Sequence, residues 1–327
     1  MSRNIKNAPF HIAFGVDENY IRPMGVTITS IIKNNPDSSF VFHIFSPEIS
    51  QSNLEKINKL STLSSVSINV HIIEKPSTQN KQINDKKLSH ISEAAYTRIL
   101  IPKLLHKITN NFLYLDADIL CTGDISSLFD IDISNVAAAV VRDINSETMQ
   151  HRLAKKQLVL SDYFNSGVLY INISYWLANN ISEKVLEKIN DPILQLGYFD
   201  QDALNVILDH SVFFIDSEWN YQYPLTSALR RGIVDTSYSN KKFIHFIGPM
   251  KPWRNWNPHN SKELFLKYQD QSPWSEINLD DEFSPREAYI YSKYMCRTML
   301  KQRRWHELFI WYTKFKHLKR SRKHIPG

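Results

Sequence analysis

Asp116 and Asp118 are the residues whose types and spacing best suit chemistry, because two carboxylates one residue apart directly follow the apolar run 111–115. Carboxylates this close repel each other and resist ionising together unless a cation neutralises them. Their hard oxygen atoms suit magnesium, manganese or calcium. The EF-hand pattern does not fit, since Leu120 stands at the fifth loop position and Gly123 comes two places late. The pair predicts a metal site; the alternative is an ordinary turn or helix cap.

The elements around this pair predict an α/β fold. The run 111–115 is typical of a buried strand that carries its charges to the edge of a sheet. Ahead of it, strand patterns at 10–16, 40–45 and 66–73 alternate with helical patterns at 24–32 and 50–60. This order predicts parallel strands joined by right-handed crossovers, with a nucleotide-sized crevice at the carboxyl edge of the sheet.

The polar stretch from Gly15 to Tyr20 follows the first predicted strand, where a nucleotide base and ribose would lie. Asp17 could accept hydrogen bonds from an imide N–H or ribose hydroxyls, and the alternative is a cap on the next helix. Arg98, in a predicted helix at 91–105, either pairs with a diphosphate or holds a strand-end acid. The chain has neither GxGxxG nor GxxxxGK, so neither a dinucleotide site nor a P-loop is indicated.

Two later stretches carry further candidate residues. A predicted strand delivers His245 to a loop that contains Gly248 and Lys251. A histidine is a good third ligand for manganese beside two carboxylates, and a lysine suits a phosphate; the alternative for His245 is a satisfied core residue. Asn165 and Gly167 lie in a predicted loop ahead of another strand, where glycine permits close backbone approach or simply a turn at positive φ.

Composition and charge place the chain among large folded proteins. Its 327 residues, 43% of them hydrophobic, can bury a large core, and Cys121 and Cys296 are too far apart in sequence to indicate a disulfide framework. The N-terminus lacks a signal-peptide core and no run approaches the ~18 apolar residues of a spanning helix. We expect a soluble or peripheral protein of the cytoplasm.

The basic charge is concentrated at the C-terminus. Between Arg297 and Lys323 ten Lys or Arg residues stand against one acid, so this segment carries +9 and the remainder −3 of the net +6. Residues 270–287 are predicted to form a linker. Beyond them, tryptophan, tyrosine and phenylalanine interleave with the basic residues at helical spacing, which favours an anionic membrane surface. The alternatives are nucleic acid binding and a docked helix with a solvated basic face.

Six motifs occur in a characteristic order: Gly-Val-Asp-Glu-Asn-Tyr, Ala-Tyr-Thr-Arg, Tyr-Leu-Asp-Ala-Asp, Phe-Asn-Ser-Gly-Val, Asp-Gln-Asp and His-x-x-Gly-x-x-Lys-Pro-Trp. Together they resemble glycosyltransferase family 8 over residues 9–256, and more narrowly its bacterial lipopolysaccharide core glucosyl- and galactosyltransferases. The resemblance implies a GT-A fold, a nucleotide-sugar-binding α/β domain with a mixed, mainly parallel sheet flanked by helices. We expect this domain at 1–270 and a membrane-associating segment at 271–327.

The resemblance also implies roles for individual residues. Asp116, Asp118 and His245 would hold Mn²⁺ or Mg²⁺, Asp200 and Gln201 would be catalytic, and His90 and Tyr198 would contact the acceptor. Donor contacts would come from Gly15, Val16, Asp17, Glu18, Asn19, Tyr20, Arg98, Asp116, Ala117, Asp143, Asn165, His245, Phe246, Ile247, Gly248, Pro249, Met250 and Lys251.

The implied reaction is transfer of glucose or galactose from its UDP ester, in α-linkage, to the lipopolysaccharide outer core at the inner face of the bacterial inner membrane. Whether Gln201 or Asp200 attacks the sugar, or the leaving phosphate guides a same-face attack, stays open. Two alternatives remain: another acceptor, such as capsule, protein or the enzyme itself, and a non-enzymatic protein that binds membranes or nucleic acid. The intact metal and phosphate residues favour the enzyme, without nucleic acid as a partner.

Overall fold

The computed structural model describes residues 8–62, 66–73, 93–191, 196–281 and 284–321. The strands are β1 Phe10–Gly15, β2 Phe40–Ser46, β3 Val66–Ile72, β4 Asn111–Leu115, β5 Ile119–Cys121, β6 Ala138–Arg142, β7 Phe164–Asn172, β8 Val212–Ile215, β9 Tyr221–Gln222 and β10 Phe243–His245. The helices are α1 Ile21–Asn34, α2 Gln51–Ser61, α3 Glu93–Leu105, α4 Ser146–Ala154, α5 Ile173–Ala178, α6 Ile181–Asn190, α7 Phe199–Ile207, α8 Leu225–Arg231, α9 Ser261–Gln269, α10 Pro285–Lys301 and α11 Trp305–Ser321.

The main sheet has the strand order β3-β2-β1-β4-β7-β6-β8. Strands β1 to β4 run parallel, whereas β7 is antiparallel to both β4 and β6. Alternate residues of each strand enter separate cores: Ile12 packs with α1 and α2 on one face, and Ala13 packs with α3, α6 and α7 on the other. Burial on both faces explains why the strands are continuous apolar runs. The predicted α/β fold with a mixed, mainly parallel sheet is confirmed.

A small second sheet brings the late part of the chain to the acids that follow β4. Strand β10 pairs antiparallel with β5, with His245 opposite Ile119, and parallel with β9. The backbone N–H of Phe246 then donates to the carbonyl of Asp118 at 3.0 Å. His245 therefore lies beside Asp118 because of strand pairing between segments that are far apart in sequence.

Strand β7 begins earlier than the sequence predicts, since residues 164–167 continue the strand and do not form a loop. Its register against β6 shifts there: Val140 pairs with Leu169, but Val141 pairs with Asn165. This bulge accommodates the polar and glycine residues that made the segment resemble a loop, and bulges of this kind re-aim side chains beside functional sites. Gly167 does not have a positive φ.

Two residues of the predicted linker at 270–287, Trp274 and Asp280, are packed against the body of the fold. Trp274 is fully buried in the core beneath α1, and its indole N–H donates to Asn53 Oδ1 at 2.9 Å. Asp280 pairs with Arg22 at 2.7 Å and Arg254 at 3.1 Å. The acids and prolines suggested a solvated segment, but Asp280 is held by two arginines from distant parts of the chain.

Replacing Trp274 by Ala should lower the free energy of unfolding by about 3–5 kcal/mol, the usual effect of removing a buried aromatic side chain. Urea unfolding followed by circular dichroism measures it. Trp305→Ala is the matched control: its side chain is 63% exposed, so the change should stay within about 0.5 kcal/mol. Equal stability of the two variants would show that residues near 274 do not belong to the core.

Helices α10 and α11 follow this segment and pack against each other. Ser284 and Glu287 form a reciprocal cap at the start of α10. Aromatic pairs join the helices, with Tyr289 stacked on Phe315 and Tyr291 edge-on to Trp311. Among the described residues, no helix has the length and apolar content needed to cross a bilayer.

Candidate active site

Asp116, Asp118 and His245 converge at the carboxyl end of β4. One ligand atom from each lies within 4.8 Å of the other two. His245 Nε2 is 3.2 Å from Asp118 Oδ1 and 3.8 Å from Asp116 Oδ2. Asp118 Oδ1 is buried and accepts no well-aligned hydrogen bond from the residues that the structure describes. Two carboxylates and an imidazole with an orphaned oxygen suit a divalent cation such as manganese.

Gly167 is the residue that lets this cluster close. A Cβ at this position would lie 2.3 Å from His245 Cε1 and 2.9 Å from Asp116 Oδ2. No real side chain tolerates these distances. The glycine therefore allows the imidazole and the carboxylate to pack against the backbone of β7. The groups that approach this backbone closely are side chains of the protein itself.

Lys251 supplies a buried positive charge beside Asp118. Its Nζ donates to Asp118 Oδ2 at 2.5 Å and to the carbonyl of Phe246 at 2.9 Å. Burial by itself would raise the pKa of Asp118, but the nearby charge of Lys251 is the main opposing cause, and that pKa lies well below its usual range. Asp118 is therefore an anion at neutral pH, as a metal ligand must be.

Asp116, Asp118 and His245 form the candidate metal cluster, and Arg98 joins this cluster to the predicted catalytic residues. Its guanidinium pairs with Asp116, donates to Asp200 Oδ2 at 2.6 Å and to Ser166 Oγ at 2.6 Å, and lies over the Tyr114 ring. Of the two sequence alternatives, Arg98 holds a strand-end acid, Asp116, in this structure. Burial raises the pKa of Asp200, while the charge of Arg98 opposes that rise.

Gln201 lies at the centre of a second hydrogen-bonded group. Its Oε1 accepts from the Ser166 backbone N–H at 3.0 Å and from Asn165 Nδ2 at 3.3 Å. Its Nε2 donates to Asp143 Oδ2 at 3.2 Å and to Tyr163 Oη at 3.2 Å. The structure thus brings together two predicted donor contacts, Asp143 and Asn165, with the predicted catalytic residue Gln201.

Tyr198, a predicted acceptor contact, stands at the rim of this group with 55% of its surface exposed. Asp202 fixes the turn that carries it, accepting from the backbone N–H groups of Gly197 and Tyr198 at 3.0 Å each. The guanidinium of Arg152 lies 5.3 Å from the Tyr198 ring. The other predicted acceptor contact, His90, lies outside the described residues.

The loop after β1 is held by its own hydrogen bonds. Asp17 caps the short helix that follows by accepting from the Asn19 backbone N–H at 2.9 Å, which is the cap alternative. Glu18 turns toward α2, where it accepts from Asn53 Nδ2 at 2.8 Å. Tyr20 is partly exposed and meets Trp253 edge-on.

Several predicted donor contacts have side chains that belong to the hydrophobic core. Gly248, with φ +87°, turns the chain between His245 and Lys251, as the sequence predicts. Four of the predicted donor contacts have buried side chains, so these residues would contact a donor through their backbone atoms. They are Val16, Ala117, Phe246 and Met250.

Sequence reasoning missed three residues that hold this site together. Tyr114 donates to Asp116 Oδ1 at 2.9 Å, Ser166 contacts Gln201 and Arg98, and Asn220 contacts His245. Tyr114 and Ser166 stand inside motifs that were recognised for their neighbours. Nothing in the sequence around Asn220 marks it, because its partners are distant along the chain.

Comparison with known proteins agrees with this geometry. The family model Glycosyl transferase family 8 matches residues 11–257. The chain is 33% identical to a lipopolysaccharide 1,3-galactosyltransferase of Salmonella typhimurium, covering 88% of this chain and 85% of that one. It is also 33% identical to a lipopolysaccharide 1,2-glucosyltransferase of Escherichia coli K12, covering 85% and 81%.

Solved structures show the same fold. The galactosyltransferase LgtC, crystallised with donor and acceptor sugar analogues, superimposes with a TM-score of 0.63 at 22% identity, covering 80% of this chain and 96% of that one. This likeness places the chain among GT-A type folds. From the family match over most of its length, the chain belongs to glycosyltransferase family 8.

Proposed function

We propose that the protein is a retaining hexosyltransferase that moves glucose or galactose from UDP, in α-linkage, to the lipopolysaccharide outer core. The observation that carries the proposal is the convergence of Asp116, Asp118 and His245 with Lys251 at the carboxyl edge of the sheet. The two bacterial relatives act on lipopolysaccharide by name, one transferring galactose and the other glucose.

Manganese or magnesium is the proposed cofactor, held by Asp116, Asp118 and His245. When bound, the ion would stabilise the charge that develops on the leaving diphosphate. Lys251 would share that task, because its ammonium group already lies beside Asp118 and is held by the Phe246 carbonyl. Arg98 would keep Asp116 oriented through its direct ion pair.

The sugar would lie beside Asp143, Asn165, Asp200 and Gln201. Gln201 Oε1 already accepts hydrogen bonds from strand β7, so it is turned away from attack on a sugar carbon. Asp200 is paired with Arg98. This arrangement favours same-face attack guided by the leaving phosphate, with Asp200 steadying the positive charge on the ring and Gln201 positioning its hydroxyls.

Incubation with UDP-glucose and UDP-galactose, each with Mn²⁺, Mg²⁺ or EDTA, tests the proposal. Lipopolysaccharide core truncated to different lengths serves as the acceptor. We expect one UDP-hexose to be consumed with a divalent ion, one core form to gain one hexose by mass, and the new linkage to be α by NMR. Transfer that is unaffected by EDTA would contradict the metal role, and a β-linkage would contradict retention.

The outer face of α11 exposes large hydrophobic side chains. Trp305, Phe309, Ile310 and Tyr312 are 63%, 68%, 40% and 45% exposed, near the basic residues of the same helix. Aromatic rings beside lysines and arginines suit an anionic bilayer interface. We propose that this face holds the enzyme on the cytoplasmic surface of the inner membrane, near a lipid-linked acceptor.

The double variant Trp305→Ser/Phe309→Ser should weaken binding to anionic vesicles by at least about tenfold, since two aromatic side chains no longer leave water. Co-sedimentation with phosphatidylglycerol vesicles measures it. Val159→Ser is the control, because Val159 is 81% exposed in another part of the fold. Wild-type vesicle binding by the double variant, or tight binding of duplex DNA by the wild type, would contradict this assignment.

A further inference from the structure

Asn220 is a buried amide that connects the metal cluster to the sugar side of the site. It lies in the short helical turn Ser217–Asn220 ahead of β9 and is 1% exposed. Its Oδ1 is 3.1 Å from His245 Nδ1, and its Nδ2 donates to Asn165 Oδ1 at 2.9 Å. Both of its side-chain polar ends therefore contact residues of the active site.

The orientation of this amide follows from backbone groups that cannot exchange donor for acceptor. The Gly167 backbone N–H donates to Asn165 Oδ1 at 3.0 Å, so that atom is the carbonyl oxygen. The Ser166 backbone N–H donates to Gln201 Oε1, which agrees with Asn165 Nδ2 donating to the same oxygen. Asn165 Oδ1 must then accept from Asn220 Nδ2, which leaves Asn220 Oδ1 facing His245.

An oxygen facing His245 Nδ1 requires a proton on that nitrogen. The lone pair of Nε2 is then directed at Asp118 Oδ1, 3.2 Å away, and at Asp116 Oδ2. When the ring is neutral, three acceptor atoms thus meet without a donor from the described part of the chain. This is the form of histidine that binds a cation, and such ligands usually donate their other N–H to a fixed partner.

We propose that Asn220 is a positioning residue that sets the proton of His245 on Nδ1 and couples the metal ligand to the sugar contact Asn165. The catalytic meaning of this coupling rests on the proposed function, but the proton position does not. The backbone N–H groups of β7 fix the orientation of the Asn165 amide. That amide fixes the orientation of Asn220, whose oxygen then faces the imidazole. A buried asparagine that only filled space would have no such effect on His245.

The proton position is tested in the wild-type protein without metal. Histidines labelled with ¹⁵N are recorded at alkaline pH, and His245→Asn identifies the signal of His245. We expect Nδ1 to carry the proton and Nε2 to be the bare nitrogen of a neutral ring. A neutral ring protonated only on Nε2 would overturn the proposal, whatever reaction the enzyme catalyses.

Two substitutions separate the two contacts of Asn220. Asn220→Asp keeps an acceptor for His245 but removes the donor to Asn165; Mn²⁺ affinity should be retained while the KM for the UDP-hexose rises. Asn220→Leu removes both contacts, and Mn²⁺ affinity should fall by about 10–100-fold, as for other residues that orient metal ligands. Titration with MnCl₂, with and without UDP, measures the affinity.

Asn35→Leu is the control for a buried amide lost elsewhere, since Asn35 is 4% exposed and contacts the backbone of Ile31 and Ile125. It should lower the melting temperature without changing Mn²⁺ affinity. Unchanged Mn²⁺ affinity in Asn220→Leu, or equal loss in Asn220→Asp and Asn220→Leu, would overturn the positioning role. If Asn220→Leu does not fold, Asn220→Asp and the wild-type spectrum still decide. A wild type that binds no Mn²⁺ yet carries the Nδ1 proton would contradict the proposed function alone.

Discussion

Asp118→Asn should reduce hexose transfer by about 10³-fold or more, because the variant loses a charged ligand of the proposed metal ion, which would supply several kcal/mol of transition-state stabilisation. The amide is nearly isosteric, so the fold should be kept. Lys251 loses its buried partner, and the free energy of unfolding should fall as well. Turnover at saturating UDP-hexose measures the loss of transfer, and a titration with Mn²⁺ measures the loss of metal affinity. Urea unfolding measures the loss of stability.

The control for this variant is Asp132→Asn, which removes an exposed carboxylate that caps a loop by accepting from the Ser134 backbone N–H. Its turnover and Mn²⁺ affinity should match the wild type. Adding Lys251→Met to Asp118→Asn should recover part of the lost stability, because it removes the buried ammonium group that no longer has an ionic partner. It should not recover activity. Wild-type turnover in Asp118→Asn would refute a metal role for this acid.

Gly167→Ala should displace a side chain of the candidate metal cluster and weaken metal binding, although it adds only a methyl group. The new Cβ would lie 2.3 Å from the His245 ring and 2.9 Å from an Asp116 oxygen, so one of these side chains must leave its place. We expect Mn²⁺ affinity to fall by at least about tenfold. The free energy of unfolding should fall by about 1–3 kcal/mol, as is usual for overpacking. Titration with MnCl₂ and urea unfolding measure the two quantities.

Gly123→Ala is the matched control. Its nearest neighbour would be the Lys242 Cδ at 3.1 Å, which belongs to a flexible side chain that can move. This variant should bind Mn²⁺ like the wild type. If both alanine variants bind the ion equally well, the close contact of Gly167 with His245 does not control the metal site.

Much of the fold could be predicted because its signals are local. The apolar runs that became β1, β2 and β4, and the helical spacing of α1, depend on neighbours a few residues away. The same holds for the acids at the end of β4. Local composition also misled: residues 164–167 contain Asn, Ser and Gly but continue β7, and the acidic segment near Trp274 is packed into the core.

The sequence alone determined which side chains could bind a cation and a diphosphate, since Asp116, Asp118, His245 and Lys251 have the required chemistry wherever they lie. Only the tertiary structure decided that they meet. The antiparallel pairing of β5 with β10 joins segments more than a hundred residues apart, and no local pattern encodes that pairing. The orientation of His245 depends on Asn220 in the same way, because a hydrogen-bond partner is defined by its position in space and not by its place in the chain.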